Sequence, residues 1–136
     1  MDIRTYETAD FEGVKALWAE AFPEDPPWNR AERAIPEKLG FQPGLLFVAV
    51  DDGGVIGSVM AGYDGHRGWL YSVAVGREAR RGGVGTALVR HAETALLALG
   101  CAKVNLQVRA TNGAVVGFYE RLGYAVEERV SLGKRL

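Results

Sequence analysis

Between residues 69 and 109 the chain reads as strand, glycine-rich turn, helix and strand, and that order leaves few folds open. Trp69 to Val75 is a strand-like run. Gly82, Gly83 and Gly85 mark the turn, and Val84, Leu88, Ala92, Ala95, Leu96 and Leu99 then recur at helical spacing up to Gly100. Lys103 to Arg109 alternates, with Val104, Leu106 and Val108 on one side. A crossover helix between two strands predicts that they run parallel in one sheet.

The flanking sequence adds antiparallel partners. Residues 2–7 read as an edge strand. Phe11, Val14, Leu17, Trp18, Ala21 and Phe22 read as one face of a helix, capped by Thr8 or Asp10 and ended by Pro23. All five prolines fall within residues 23–44, around a short helix near Arg30–Leu39. Leu45 to Val50 is apolar on both faces, as a central strand should be. Asp51-Asp52-Gly53-Gly54 and Asp64-Gly65 are turn signals that separate it from strands at Val55–Tyr63 and Trp69–Val75. A last helix is expected over Asn112–Leu122, ended by Gly123, followed by two short strands. These elements predict an α+β (mixed α/β) fold, a mixed central sheet of about seven strands with about four helices, in a single domain covering 1–136.

Composition narrows the function. A net charge of −1 argues against a nucleic-acid module, although Arg77, Arg80, Arg81 and Arg90 could form a local patch. The first ten residues carry no apolar targeting segment, and no apolar run approaches the ~20 residues of a membrane helix. With Cys101 as the only cysteine, no internal disulfide can form, and a cytoplasmic protein is expected. One cysteine with His66 and His91 does not make a zinc site of the usual spacing, so no metal is expected. Cys101, after Gly100, reads as a buried structural thiol.

Chemistry concentrates in Val73-Ala74-Val75 through Arg80-Arg81-Gly82-Gly83-Val84-Gly85-Thr86. Here a strand enters a basic, glycine-rich turn that opens a helix. The first helical N–H groups have no partner within the helix and sit at its positive end. Glycines let an anion approach that backbone, so the segment reads as a phosphate cradle or simply as a tight turn. It is not a P-loop, because Gly85-Thr86-Ala87 stands where Gly-Lys-Ser/Thr is needed, and Leu88 stands where a dinucleotide fingerprint has its third glycine.

Arg80-x-x-Gly83-x-Gly85 after Val73-Ala74-Val75 resembles the acyl-CoA signature of the GNAT acetyltransferase superfamily, Gln/Arg-x-x-Gly-x-Gly/Ala. Asn112, Val115, Phe118, Tyr119 and Gly123-Tyr124 resemble the same family's downstream pattern, with Val115 standing where alanine is usual. The order of elements agrees over essentially the whole chain. Gly62–Gly68 and Ser131–Leu136 are also similar to a bacterial YpeA-type subgroup.

The resemblance implies acetyl transfer from acetyl-CoA to a small-molecule or peptide amine, by a monomer or homodimer. It implies that backbone amides from Arg81 through Gly82, Gly83, Val84 and Gly85 to Thr86, with Arg80, hold the pyrophosphate. Val73, Ala74 and Val75 would pair with the pantetheine arm at an edge opened by splayed parallel strands. The Val75 N–H would meet the negative charge that develops on the acetyl oxygen. Asn112 reads as a helix N-cap or as a contact to the CoA arm. Tyr119 reads as a core aromatic or as the general acid for the departing sulfur. The base stays open, because Leu70-Tyr71-Ser72-Val73 holds no carboxylate. The remaining options are His66, Asp64 or a water relay, while Glu20, Asp25 and Trp28 lie in the segment that usually covers the acceptor. A catalytically silent acyl-CoA-binding module is the alternative reading.

Overall fold

A computed structural model describes residues 1–136. Met1–Leu106 form one compact unit and Gln107–Leu136 a second. The first contains β1 (Asp2–Thr5), α1 (Phe11–Ala21), α2 (Ala31–Leu39), β2 (Leu46–Asp51), β3 (Gly54–Tyr63), β4 (Gly68–Val75), α3 (Val84–Ala98) and β5 (Val104–Leu106). The second contains α4 (Gly113–Arg121).

The sheet runs in the order β1-β2-β3-β4-β5. The pairings from β1 to β4 are antiparallel, and β4 pairs with β5 in parallel, as the strand–helix–strand reading requires. Five strands are present rather than about seven. The two strands expected after Gly123 do not form, and every residue from Ala125 onward is exposed. That segment carries two charged clusters, Glu127-Glu128-Arg129 and Lys134-Arg135, and packs no side chain into a core. The strand expected over Lys103–Arg109 is paired only at Val104–Leu106.

Alternation along the strands sends neighbouring residues to opposite faces. Leu46, Val48 and Ala74 pack with Val14, Leu17 and Trp18 of α1 and with Ala31 and Ile35 of α2. Phe47 points the other way and meets His91 of α3 edge-on, with ring centroids 4.6 Å apart. Ile35, Leu46, Leu88 and Leu96 are almost wholly shielded, and each such side chain contributes about 1.5–3 kcal/mol of burial.

Two local expectations change. Neither Thr8 nor Asp10 caps α1 through its side chain. The Asp10 carboxylate instead accepts from the Glu7 N–H at 2.8 Å and from the Arg4 guanidinium at 2.8 and 2.9 Å. The Arg4 hydrogen bond, reinforced by the Glu7 N–H, holds the Asp10 carboxyl below the usual carboxylate range despite its burial. α1 stops at Ala21, just before Pro23. α3 ends as read: Gly100 adopts φ +92°, and the Cys101 and Gly100 N–H groups close onto Leu96 and Leu97.

α3 must sit close to the sheet to bring its N-terminus beside β4. Gly57 on β3 permits this. A Cβ there would fall 2.7 Å from Leu88 Cδ1 and 3.1 Å from both Val84 Cγ1 and the Ala74 carbonyl. Two of those neighbours belong to the first turns of α3, and the third is backbone. Gly57→Ala is therefore expected to cost about 1–3 kcal/mol in urea unfolding, because the first turn of α3 must be pushed outward. Wild-type stability in that variant would mean that the approach is not tight.

Candidate functional site

β4 carries the candidate site. Its β3-facing edge is paired nearly throughout, but β5 covers only Gly68–Leu70 on the other side. From Tyr71 to Val75 no strand lies against that second edge. Gly76 N–H donates to Ile56 on β3 at 2.8 Å, so alternation turns the backbone groups of Val75 away from β3. In agreement, the Val75 carbonyl accepts from Arg80 Nε at 3.3 Å.

The ladder also slips within β4. Ser58 pairs with Ala74 and Met60 with Tyr71, so Val59 alone opposes both Ser72 and Val73. Ser72 takes φ +50°, a conformation that ordinarily favours glycine. Such a bulge re-aims the backbone that follows it, here Val73, Ala74 and Val75.

Past Val75 the chain makes a single 3-10 turn, Arg77–Ala79, and then enters α3 through Gly83. The Glu20 carboxylate on α1 accepts from the Arg77 N–H at 2.8 Å. Arg81 and Gly83 take φ +71° and +80°. The Gly83 carbonyl accepts the first helical bond, from Ala87 at 3.0 Å. That leaves the N–H groups of Val84, Gly85 and Thr86 without an intrahelical partner. No side chain caps this terminus, and its first turn holds no acidic residue. The Gly82 N–H is different, since it is turned toward the Ala79 carbonyl at 3.4 Å. Of the amides expected over Arg81–Thr86, that of Gly82 is therefore turned aside, while those of Val84, Gly85 and Thr86 open the helix. Arg77, Arg80 and Arg81, in the segment that leads into the helix, are exposed. Arg90, further along α3, is tied to Glu93 at 3.0 Å. The arrangement suits a ligand with an anionic group at the helix terminus and an amide-bearing arm along the free edge of β4.

Asp64 and His66 lie elsewhere. They sit in the β3–β4 turn, where Asp64 Oδ1 accepts from the His66 and Arg67 N–H groups, each at 2.7 Å. Those bonds, that of Arg67 foremost, hold the Asp64 carboxyl below its ordinary range and commit it to the turn. Val75 is at the far end of β4, roughly 23 Å away at about 3.3 Å per residue. The geometry does not bring Asp64 or His66 to a centre at Val75. Cys101 is buried and donates from Sγ to the Lys103 carbonyl at 3.3 Å, so its thiol is structural. No group of three or more His, Cys, Asp or Glu is placed to hold a metal ion. No helix is long and apolar enough to cross a membrane.

In the second unit Asn112 stands at the N-cap of α4 without a side-chain capping bond, so the expected cap is positional only. Tyr119 is buried between Phe118 and Tyr124, its ring edge-on to both at 5.0 and 5.8 Å. The Tyr124 N–H closes onto the Tyr119 carbonyl at 3.1 Å, which fixes the end of the helix beside that ring. Burial pushes the Tyr119 hydroxyl above the ordinary tyrosine pKa.

The acetyltransferase (GNAT) family matches residues 11–124. The chain belongs to that family. An acetyltransferase of Yersinia enterocolitica is 45% identical over 136 residues, covering 100% of this chain and 96% of its own. An acetyltransferase of Pectobacterium atrosepticum matches to the same extent, 45% identical with 100% and 96% covered. Among solved structures, the aminoglycoside acetyltransferase AAC(6')-Iy in complex with a CoA bisubstrate analogue superposes with a TM-score of 0.79 at 23% identity. That likeness, which covers 99% of this chain and 97% of the other, shows the shared fold. As a GNAT enzyme the chain is an N-acetyltransferase of the acyl-CoA-dependent kind.

Sequence reasoning placed Glu20 only in the segment that covers the acceptor, and it did not single out Trp18, Ser58 or Ser72. Trp18 showed only as an apolar helix position, and Ser72 carried no signal for a positive φ.

Two outcomes follow. Gly85→Glu puts a carboxylate at the open helix terminus and is expected to weaken acetyl-CoA binding by at least ~10²-fold in calorimetry with the far-UV spectrum unchanged; unchanged affinity would remove the terminus from the site. The raised Tyr119 pKa means that the folded state holds its proton more tightly than the unfolded chain does. That contribution is intact below about pH 10 and is lost as pH rises through the folded value. Tyr6 and Tyr71 shift the same way. Tyr119→Phe is thus expected to remove part of the alkaline loss of melting temperature and leave the rest.

Proposed function

We propose that this chain transfers the acetyl group of acetyl-CoA directly to an amine within a ternary complex. The observation that carries the reading is the free edge of β4 running into the uncapped N-terminus of α3. The Val84, Gly85 and Thr86 amides, with Arg80 and Arg81, would hold the pyrophosphate. Val73 and Val75 would pair with the amide-bearing arm like a partial added strand, with Ala74 buried between them. Asn112 is assigned to the arm through its place in the family motif.

Acetyl-CoA supplies the activated acetyl group, and the chain's part is placement and charge. The Val75 N–H is assigned to the acetyl oxygen, where negative charge develops during attack. Fixing donor and amine together supplies much of the rate. Tyr119 is assigned the proton for the departing sulfur, and burial holds its hydroxyl above the ordinary tyrosine value. The amine must be neutral to attack, and its proton leaves through water, because Asp64 and His66 lie at the other end of β4.

The acceptor is a small-molecule or peptide amine. Structures with this fold include aminoglycoside N-acetyltransferases and the ribosomal-protein-S18-alanine N-acetyltransferase of Escherichia coli, which is 26% identical over 90% of this chain and 76% of its own, with a TM-score of 0.74. An acceptor panel of aminoglycosides, polyamines, amino acids and N-terminal peptides, read by free-thiol release, tests the activity. With a working acceptor, Tyr119→Phe is expected to lower kcat by about 10²-fold while acetyl-CoA affinity changes little. Its high-pH limb should flatten or shift. Wild-type kcat and an unchanged pH profile, with chemistry shown to limit the rate, would exclude the acid role.

A further inference from the structure

Ser58 is fully buried on β3, on the α1 side of the sheet. Its hydroxyl accepts from Trp18 Nε1 at 2.8 Å and donates to the Ser72 carbonyl at 2.9 Å. The chain of bonds therefore runs from α1, through β3, to the residue at φ +50° that makes the bulge in β4. Five residues after the bulge, α1 holds β4's continuation again, through Glu20 and the Arg77 N–H. Val73 to Val75 of the free edge lie between these two anchors. No other side chain donates to the Ser72 carbonyl, and no buried side-chain polar atom is left without a partner.

Ser72 is not glycine, so its left-handed backbone is strained and persists only where its surroundings fix it. In an ordinary extended conformation the bulge would be lost and the register of β4 would move by one residue. A one-residue slip turns every following backbone and side-chain group to the opposite side. The Val75 N–H would then face β3 rather than the free edge.

We propose that Trp18 and Ser58 are positioning residues for acetyl transfer. They hold Ser72 in its left-handed conformation and so keep the backbone amides of Val73 and Val75 aimed at the acetyl thioester. The inference rests on the proposed reaction and adds to it a buried relay that touches no substrate. Trp18 supplies the donor that orients the Ser58 hydroxyl, and Ser58 supplies the bond that fixes the bulge.

The test compares Ser58→Ala, Trp18→Phe and the double variant Ser58→Ala/Ser72→Gly with the wild type. Each is followed by melting temperature, acetyl-CoA affinity, kcat with a working acceptor, and crystal structure. Ser58→Ala is expected to lower kcat by roughly 10-fold to 10²-fold, the scale of a misplaced reacting group, while acetyl-CoA affinity moves less than about threefold. Its crystal structure should show Ser72 out of the positive-φ region. Trp18→Phe should follow in the same direction with a smaller loss. Adding Ser72→Gly to Ser58→Ala should recover most of kcat, because glycine takes positive φ without strain. It should not recover the melting temperature, because Trp18 Nε1 still lacks its acceptor. That split separates positioning from plain stabilisation. If Ser58→Ala keeps both the bulge and kcat, or if glycine restores nothing, the relay has no positioning role. If the wild type transfers acetyl to no amine while Ser58→Ala still loses the bulge, the relay's hold on β4 stands and the proposed reaction is what fails.

Discussion

Five residues of β4, Tyr71 to Val75, present a strand edge that no other strand covers. Unpaired backbone groups on an edge are a template for another chain or ligand, and proteins normally blunt them with charge, a bulge or a cover. Here the edge is kept open and aimed. β5 pairs with β4 over three residues only, while β3 stays on the other side. The rest of the first unit follows from holding that edge in one orientation. α3 lies tight against Gly57, which sets its N-terminus beside the end of β4. α1 reaches across the sheet to secure the bulge through Trp18 and the exit of the strand through Glu20.

Electrostatics and geometry agree at this place. The N-terminus of α3 has no capping side chain and no acidic residue in its first turn, while Arg77, Arg80 and Arg81 are exposed in the segment that leads into it. An acidic cap would stabilise the helix by itself and would also occupy the position of an anionic ligand. Its omission leaves that terminus open, as the proposed reading requires. Elsewhere the chain satisfies its buried charges internally, as Asp10 does through Arg4 and the Glu7 amide.

What the sequence made readable was local. Hydrophobic spacing located α1, α2, α3, α4 and strands β1 to β4 to within about two residues, and the strand–helix–strand order fixed the parallel pair. The glycine-rich turn marked the candidate anion site, because its signal lies within a few adjacent residues. What was not readable depends on partners far apart in the chain. Trp18 and Ser58 are 40 residues apart, and Arg77 and Glu20 are 57 apart. Ser72 looks like any strand residue until the register of β3 is known. The two short strands expected after Gly123 do not form, because a strand also needs a neighbour for its backbone. The turn at Asp64 and His66 drew notice as a source of a base, yet strand length alone carries it away from Val75.

The central claim is that acetyl-CoA binds along the free edge of β4 and onto the amides that open α3. Titrating the ¹⁵N-labelled protein with CoA and following every backbone amide tests it directly. The account predicts the largest shifts at Val73, Val75, Val84, Gly85 and Thr86, with the β3–β4 turn at Asp64–Arg67 left in place. Shifts centred on that turn, or saturation with no change from Val73 to Thr86, would contradict it.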